Sequence, residues 1–202
     1  MGMDTADRSL AKLLVGRSYI RGDFVLASGR RSQLYFDCRL TTCCAEAMPL
    51  IGEAFARAFR AAGANPVSVG GLTSGADPIA HAIAYHSLSA GPVRNMFSVR
   101  KERKEHGTRK WIEGCAKSPV AVVDDVVTSG GSVIRAIERC LEDDLEIVHV
   151  AVLVDREEDG MVAIQKLVPN VPVTAIFRKA ELDALRDQEH GQGGHPPSSP
   201  RS

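Results

Sequence analysis

Short apolar runs, "PVSVGGL", "VAVVDDVV", "EIVHVAVLVD" and "VPVTAIF", recur through the chain with segments of helical periodicity between them. Runs that are apolar on both faces fit strands covered on both sides, and strands alternating with helices imply a parallel sheet flanked by helices. The spacing predicts helix 77–88, strand 95–100, a polar loop 101–114, strand 119–124, helix 131–142, strand 147–154, helix 158–167 and strand 173–177. Before these lie a helix over 5–16, a hairpin around Ser28-Gly29, and a long helix from about 44 to 62 that Gly63 stops. Crossovers should be right-handed, and a ligand belongs outside the carboxyl ends of the strands, at the turns after Val69, Val123 and Val154.

At 202 residues the chain fits one α/β domain over 1–186, with 1–44 forming a small helix-plus-hairpin hood. The last stretch, "DQEHGQGGHPPSSPRS", has almost nothing to bury, so 187–202 reads as a disordered tail. The 25 basic and 25 acidic residues cancel, which disfavours nucleic acid or an anionic membrane as a partner and makes any anion site local. No run reaches the roughly 20 apolar residues of a membrane span, and "MGMDTADRSLAKLL" lacks the apolar core of a secretory signal, so a cytoplasmic location is expected. The five cysteines form no C-x-x-C pair and read as small buried side chains, while His81 and His86 point to different faces of a helix and make no metal site.

Chemistry concentrates in "VAVVDDVVTSGGSV", residues 120–133. Glycines at 130 and 131 let the backbone turn its N–H groups toward a ligand, and Thr128, Ser129 and Ser132 add hydroxyls at a helix N-terminus, a combination suited to a phosphate monoester. The loop has neither the Gly-Lys-Ser/Thr of a nucleotide triphosphate loop nor a G-x-G-x-x-G fingerprint. An isolated "TSGGS" is most often only a capped helix start. Asp124 and Asp125, at the end of a buried strand, need donors or a metal, and the hydroxyls of a ribose whose 5-phosphate sits in the loop would supply donors.

Strand, "DDVVTSGGS", helix resembles the phosphoribosyl diphosphate motif of the type I phosphoribosyltransferases. The loop "VRKERKEHGTRKWIEG" packs cations into a short span; most such runs are solvated faces, but a mobile basic lid could also screen a diphosphate leaving group. Its string Arg100-Lys101-x-x-Lys104-x-His106-Gly107 is similar to the catalytic loop of the orotate phosphoribosyltransferases in particular. "FVLASGRRSQLYFDCR" and "LVDREEDG" resemble two further segments of that family, the latter carrying its orotate-binding arginine, here Arg156.

The resemblance implies a type I phosphoribosyltransferase fold, a homodimer with shared active sites, and Mg²⁺ carried by the substrate rather than held in a protein cage. It implies a phosphoribosyl diphosphate site of Arg100, Lys101, Lys104, His106, Asp124, Asp125, Val126, Val127, Thr128, Ser129, Gly130, Gly131 and Ser132. Of these, Lys104, His106, Asp124 and Asp125 would be catalytic, with Thr128 and Arg156 on orotate. Two departures stand out: "GGLTSGADP" carries no lysine where many members have one, leaving diphosphate contacts to backbone N–H groups, Thr73 and Ser74, and Arg31 replaces a lysine. A purine or uracil phosphoribosyltransferase, or a non-catalytic sensor of phosphoribosyl diphosphate, would share the opening motif; the basic lid and Arg156 favour the orotate enzyme.

Overall fold

The computed structural model describes residues 5–25, 31–102 and 111–191. Helix α1 (Thr5–Ser18) leads into an antiparallel hairpin of β1 (Tyr19–Val25) and β2 (Arg31–Phe36), then into a single turn, α2 (Arg39–Thr42), and α3 (Met48–Ala61). Strands and helices then alternate as β3 (Ser68–Leu72), α4 (Ala76–Ser87), β4 (Asn95–Val99), β5 (Ile112–Gly114) and β6 (Val120–Val127). They continue as α5 (Gly131–Glu142), β7 (Ile147–Asp155), α6 (Gly160–Leu167), β8 (Val173–Arg178) and α7 (Lys179–Gly191). Strands β3 to β8 make one sheet in the order β5-β4-β3-β6-β7-β8, parallel throughout except for the β4–β5 pair. The α/β reading therefore holds.

Alternation along the strands separates two cores. Ala121 and Val123 of β6 pack with Ala151 and Leu153 of β7 against α1, α3, α4 and α7, where Phe55 and Phe59, four apart on α3, are fully buried. Val120 and Val122 join Val150 and Val152 on the opposite face, under Val133, Ala136 and Ile137 of α5 and Ile164 of α6. Removing a fully buried phenylalanine from such a core costs about 3–5 kcal/mol. The sheet is thus covered on both faces.

Several boundaries differ from the sequence reading. The helix expected over 44–62 begins at Met48, where Pro49 starts a helix well, and a turn separates it from α2; Gly63, at φ +65°, ends it as expected. Strand β3 runs on through Gly70 and Gly71 to Leu72, because a Cβ on Gly71 would stand 2.1 Å from the Val123 carbonyl oxygen: the glycines permit strand packing rather than a turn. Strand β6 likewise extends beyond Val123 to Val127, pairing with β7 as far as Asp155, so both carboxylates lie within the strand. The polar loop closes with β5, an antiparallel edge strand. Cys38 and Cys140 are buried, but Cys43 and Cys115 are exposed and Cys44 is half-buried, since the latter three fall outside the helices and strands. Helix α7 crosses the region near Arg186 where the composition changes and continues to Gly191; residues 192–202 lie outside the described residues.

Candidate active site

Asp124 and Asp125 are 4% and 7% exposed, and the Asp125 backbone N–H donates to Asp124 Oδ1 at 3.0 Å. Burial pushes the Asp124 carboxyl well above its usual range, and the neighbouring charge of Asp125 adds to the shift. Asp125 is raised as well, again chiefly by burial. Burial therefore works against the ionised form of both acids, and donors or a cation would favour it. Against the pair lies the turn after β3: a Cβ on Gly75 would fall 2.7 Å from Asp125 Oδ1 and 2.9 Å from Asp124 Oδ1, so a larger residue there would have to displace both carboxylates. Thr73 is half-buried, with its N–H bonded to the Val99 carbonyl at 2.8 Å, and Ser74 is exposed.

Strand β6 leads from the acids straight into a small pocket of about 150 Å³ lined by Val126, Val127, Thr128, Ser129, Gly130, Gly131, Ser132 and others of the first turn of α5. Gly130 caps α5 at φ 86°, a left-handed conformation that bends the chain so that the helix N-terminus opens into the pocket. The underside rests on α6: a Cβ on Gly160 would meet the Thr128 carbonyl oxygen at 2.2 Å and the Gly130 nitrogen at 2.8 Å. The cradle is therefore braced by the backbone of a second helix start.

Arg156 joins the same strand end, its backbone N–H bonded to the Val127 carbonyl at 2.9 Å. Its guanidinium pairs with Glu158 at 3.0 Å, while Nε is buried and has no partner. It lines a cavity of about 280 Å³ with Leu34, Tyr35 and Phe36 of the hood and Lys179 and Asp183 of α7. Asp183 accepts from Tyr19 Oη at 2.6 Å and pairs with Lys179 Nζ at 2.5 Å. Partial burial works to raise Asp183, but these bonds outweigh it and hold the carboxyl below its usual range.

At the base of the basic loop, Arg100 Nη1 pairs with Glu113 at 2.9 Å and Lys101 is exposed. Lys104 and His106 lie outside the described residues. Arg31 is exposed on β2, in a depression lined by Asp23, Phe24, Val25 and Gln33 of the hairpin itself. The fold thus brings together Asp124 to Ser132, Arg156 and the Thr73–Gly75 turn.

Residues 45–168 match the family model of the phosphoribosyl transferase domain. The orotate phosphoribosyltransferase of Aquifex aeolicus is 42% identical over 178 residues, covering 86% of this chain and 95% of that protein. That of Thermosynechococcus vestitus is 36% identical, covering 88% and 93%.

The chain belongs to the orotate phosphoribosyltransferase family.

Its fold agrees with solved members: Mycobacterium tuberculosis orotate phosphoribosyltransferase in complex with Fe(III) dicitrate superposes with a TM-score of 0.77 at 34% identity, covering 88% of this chain and 98% of that one. The same enzyme in complex with 5-phospho-alpha-D-ribosyl 1-diphosphate gives a TM-score of 0.73 at 32% identity, covering 88% and 99%. Within this family framework, sequence reasoning missed Gly75, Gly160 and the whole of α7 with Lys179 and Asp183. The spacing of Leu182 and Leu185 in "AELDALR" was the available signal for that helix.

Proposed function

We propose that the chain transfers the ribose 5-phosphate group from 5-phosphoribosyl 1-diphosphate to orotate, giving orotidine 5-monophosphate and diphosphate for pyrimidine nucleotide synthesis. One observation carries the reading: the buried acid pair runs without a break into a glycine-bent helix N-terminus, with Arg156 hydrogen-bonded to the same strand end.

In this reading the backbone of Thr128 to Ser132 holds the 5-phosphate. Asp124 and Asp125 accept from the ribose hydroxyls and, once ionised, stabilise positive charge growing on the ribose as the bond from C1 to diphosphate loosens. Arg156, with its unpartnered buried Nε, meets the orotate anion and is supported by Thr128. Arg100, Lys101, Lys104 and His106 neutralise the departing diphosphate, helped by Thr73, Ser74 and the N–H groups of their turn, with Arg31 adding charge from the hood. The orotate ring nitrogen then bonds to C1 from the opposite face, with inversion, as the C1–O bond to diphosphate breaks and the ring N–H proton is released to solvent.

The acid pair also fits a divalent cation that arrives with the substrate, since burial disfavours its ionised form until charge is supplied. Among the described residues no cluster of three or more side chains could hold a metal alone. Mg²⁺ bound with the substrate beside Asp124 and Asp125 would supply that charge and polarise the leaving group. We place the enzyme in the cytoplasm as a homodimer whose basic loops reach the neighbouring site; among the described residues no helix is long and apolar enough to cross a membrane.

The test is an acceptor panel. Orotate absorbance should fall when phosphoribosyl diphosphate and Mg²⁺ are added, while hypoxanthine, adenine and uracil are left unchanged. Turnover of a purine without turnover of orotate would replace this reading.

A further inference from the structure

Arg156 sits in the short turn "DREEDG" between β7 and α6, whose pins to the rest of the molecule differ in kind. Towards the cradle the pins are backbone: the Arg156 N–H to the Val127 carbonyl, and Gly160 packed against Thr128 and Gly130. On the other side the β7–β8 ladder ends at the Asp155–Arg178 pair, and beyond that pair the described link is a side chain. Glu157 Oε2 accepts from the Ala180 N–H at 3.0 Å, capping the first turn of α7. Free N–H groups at a helix start favour a carboxylate there both by hydrogen bonding and through the helix dipole.

The conformation of Glu157 is built for that reach. Its φ is +61°, uncommon for a residue with a side chain, and its own N–H is fixed by Asp155 Oδ1 at 2.8 Å. Asp159 follows at φ 64°, so the turn is bent on both sides of Glu158. The result places Arg156 over the cavity that α7 shares with the hood, and α7 is in turn tied to the hood through Tyr19 and Asp183. Glu158, half-exposed, pairs with the guanidinium and would compete for it if the turn loosened.

We infer that Glu157 is a positioning residue for the acceptor: by capping α7 it fixes the turn that aims Arg156 into the orotate cavity. The inference rests on the proposed role of Arg156. A guanidinium displaced by about 1 Å from its ligand loses much of its effect, so the cost falls on acceptor binding. The phosphate cradle, held by its own backbone contacts, is spared.

Steady-state kinetics of Glu157→Ala, Glu157→Gln and Arg156→Ala in the full chain, varying orotate and phosphoribosyl diphosphate separately, provide the test. Glu157→Ala should raise the KM for orotate about tenfold, with kcat and the KM for phosphoribosyl diphosphate within about twofold. Glu157→Gln keeps a carbonyl acceptor for the Ala180 N–H and should restore the orotate KM; a merely structural residue would move all three parameters together. An unchanged orotate KM in Glu157→Ala, beside a raised one in Arg156→Ala, would overturn this inference alone. An unchanged orotate KM in Arg156→Ala would overturn the role of Arg156 and this inference with it.

Discussion

Asp124 sets function against stability. A carboxyl whose folded-state value lies above its unfolded value leaves the native state holding more protons than the unfolded chain. Stability from this group is therefore fully present below the ordinary aspartate value of about 4 and is lost as pH rises towards the raised folded value. Asp124→Asn removes the charge but keeps the oxygen that accepts from the Asp125 N–H. Thermal melts of the substrate-free protein should show this variant more stable than the wild type near pH 7.5, by about 0.5–2 kcal/mol. The difference should vanish below about pH 4, while turnover falls at least about a hundredfold. A variant no more stable at neutral pH would mean that the acids already have adequate partners. Both aspartates and the adjoining "TSGGS" were legible in the sequence because they are contiguous. Gly75 was not, since its importance lies in distances to carboxylates some fifty positions away.

The proposed chemistry lies at helix starts and strand ends, and the brace between α5 and α6 is a close junction among them. Gly160→Ala would drive a Cβ into the Thr128 carbonyl, and neither that oxygen nor the Gly130 nitrogen belongs to a side chain that can swing away. Overpacking of this kind costs about 1–3 kcal/mol. The KM for phosphoribosyl diphosphate should rise about tenfold or more as the cradle shifts; an unchanged KM would show that α6 does not shape it. Most elements were readable from apolar spacing, but β6 continues through two carboxylates where residue preference alone would end a strand, because pairing with β7 persists to Asp155. Helix α7 escaped notice for the opposite reason. Its sequence is polar and merges into a Gly/Pro/Ser-rich stretch, and it is anchored by Glu157 and Tyr19, partners remote in the chain.

With equal numbers of acidic and basic residues, the protein has no net charge to gather a polyanionic substrate, and the proposed reading assigns that attraction to the cradle, Arg156 and the basic loop. If basic loops are shared between subunits, as the family resemblance implies, Lys104→Ala and Asp125→Asn protomers should complement. Mixed inactive parents would form one intact site in a heterodimer and regain up to about a quarter of wild-type activity on random association. No recovery, with heterodimer formation verified, would place each loop over its own site. The central claim remains the identity of donor and acceptor, and product analysis reaches it most directly. Protein incubated with orotate, 5-phosphoribosyl 1-diphosphate and Mg²⁺ should yield orotidine 5-monophosphate and diphosphate in equal amounts by mass spectrometry, with Asp125→Asn as the inactive control. Absence of orotidine 5-monophosphate from folded wild-type protein that converts a purine base to its nucleotide would contradict it.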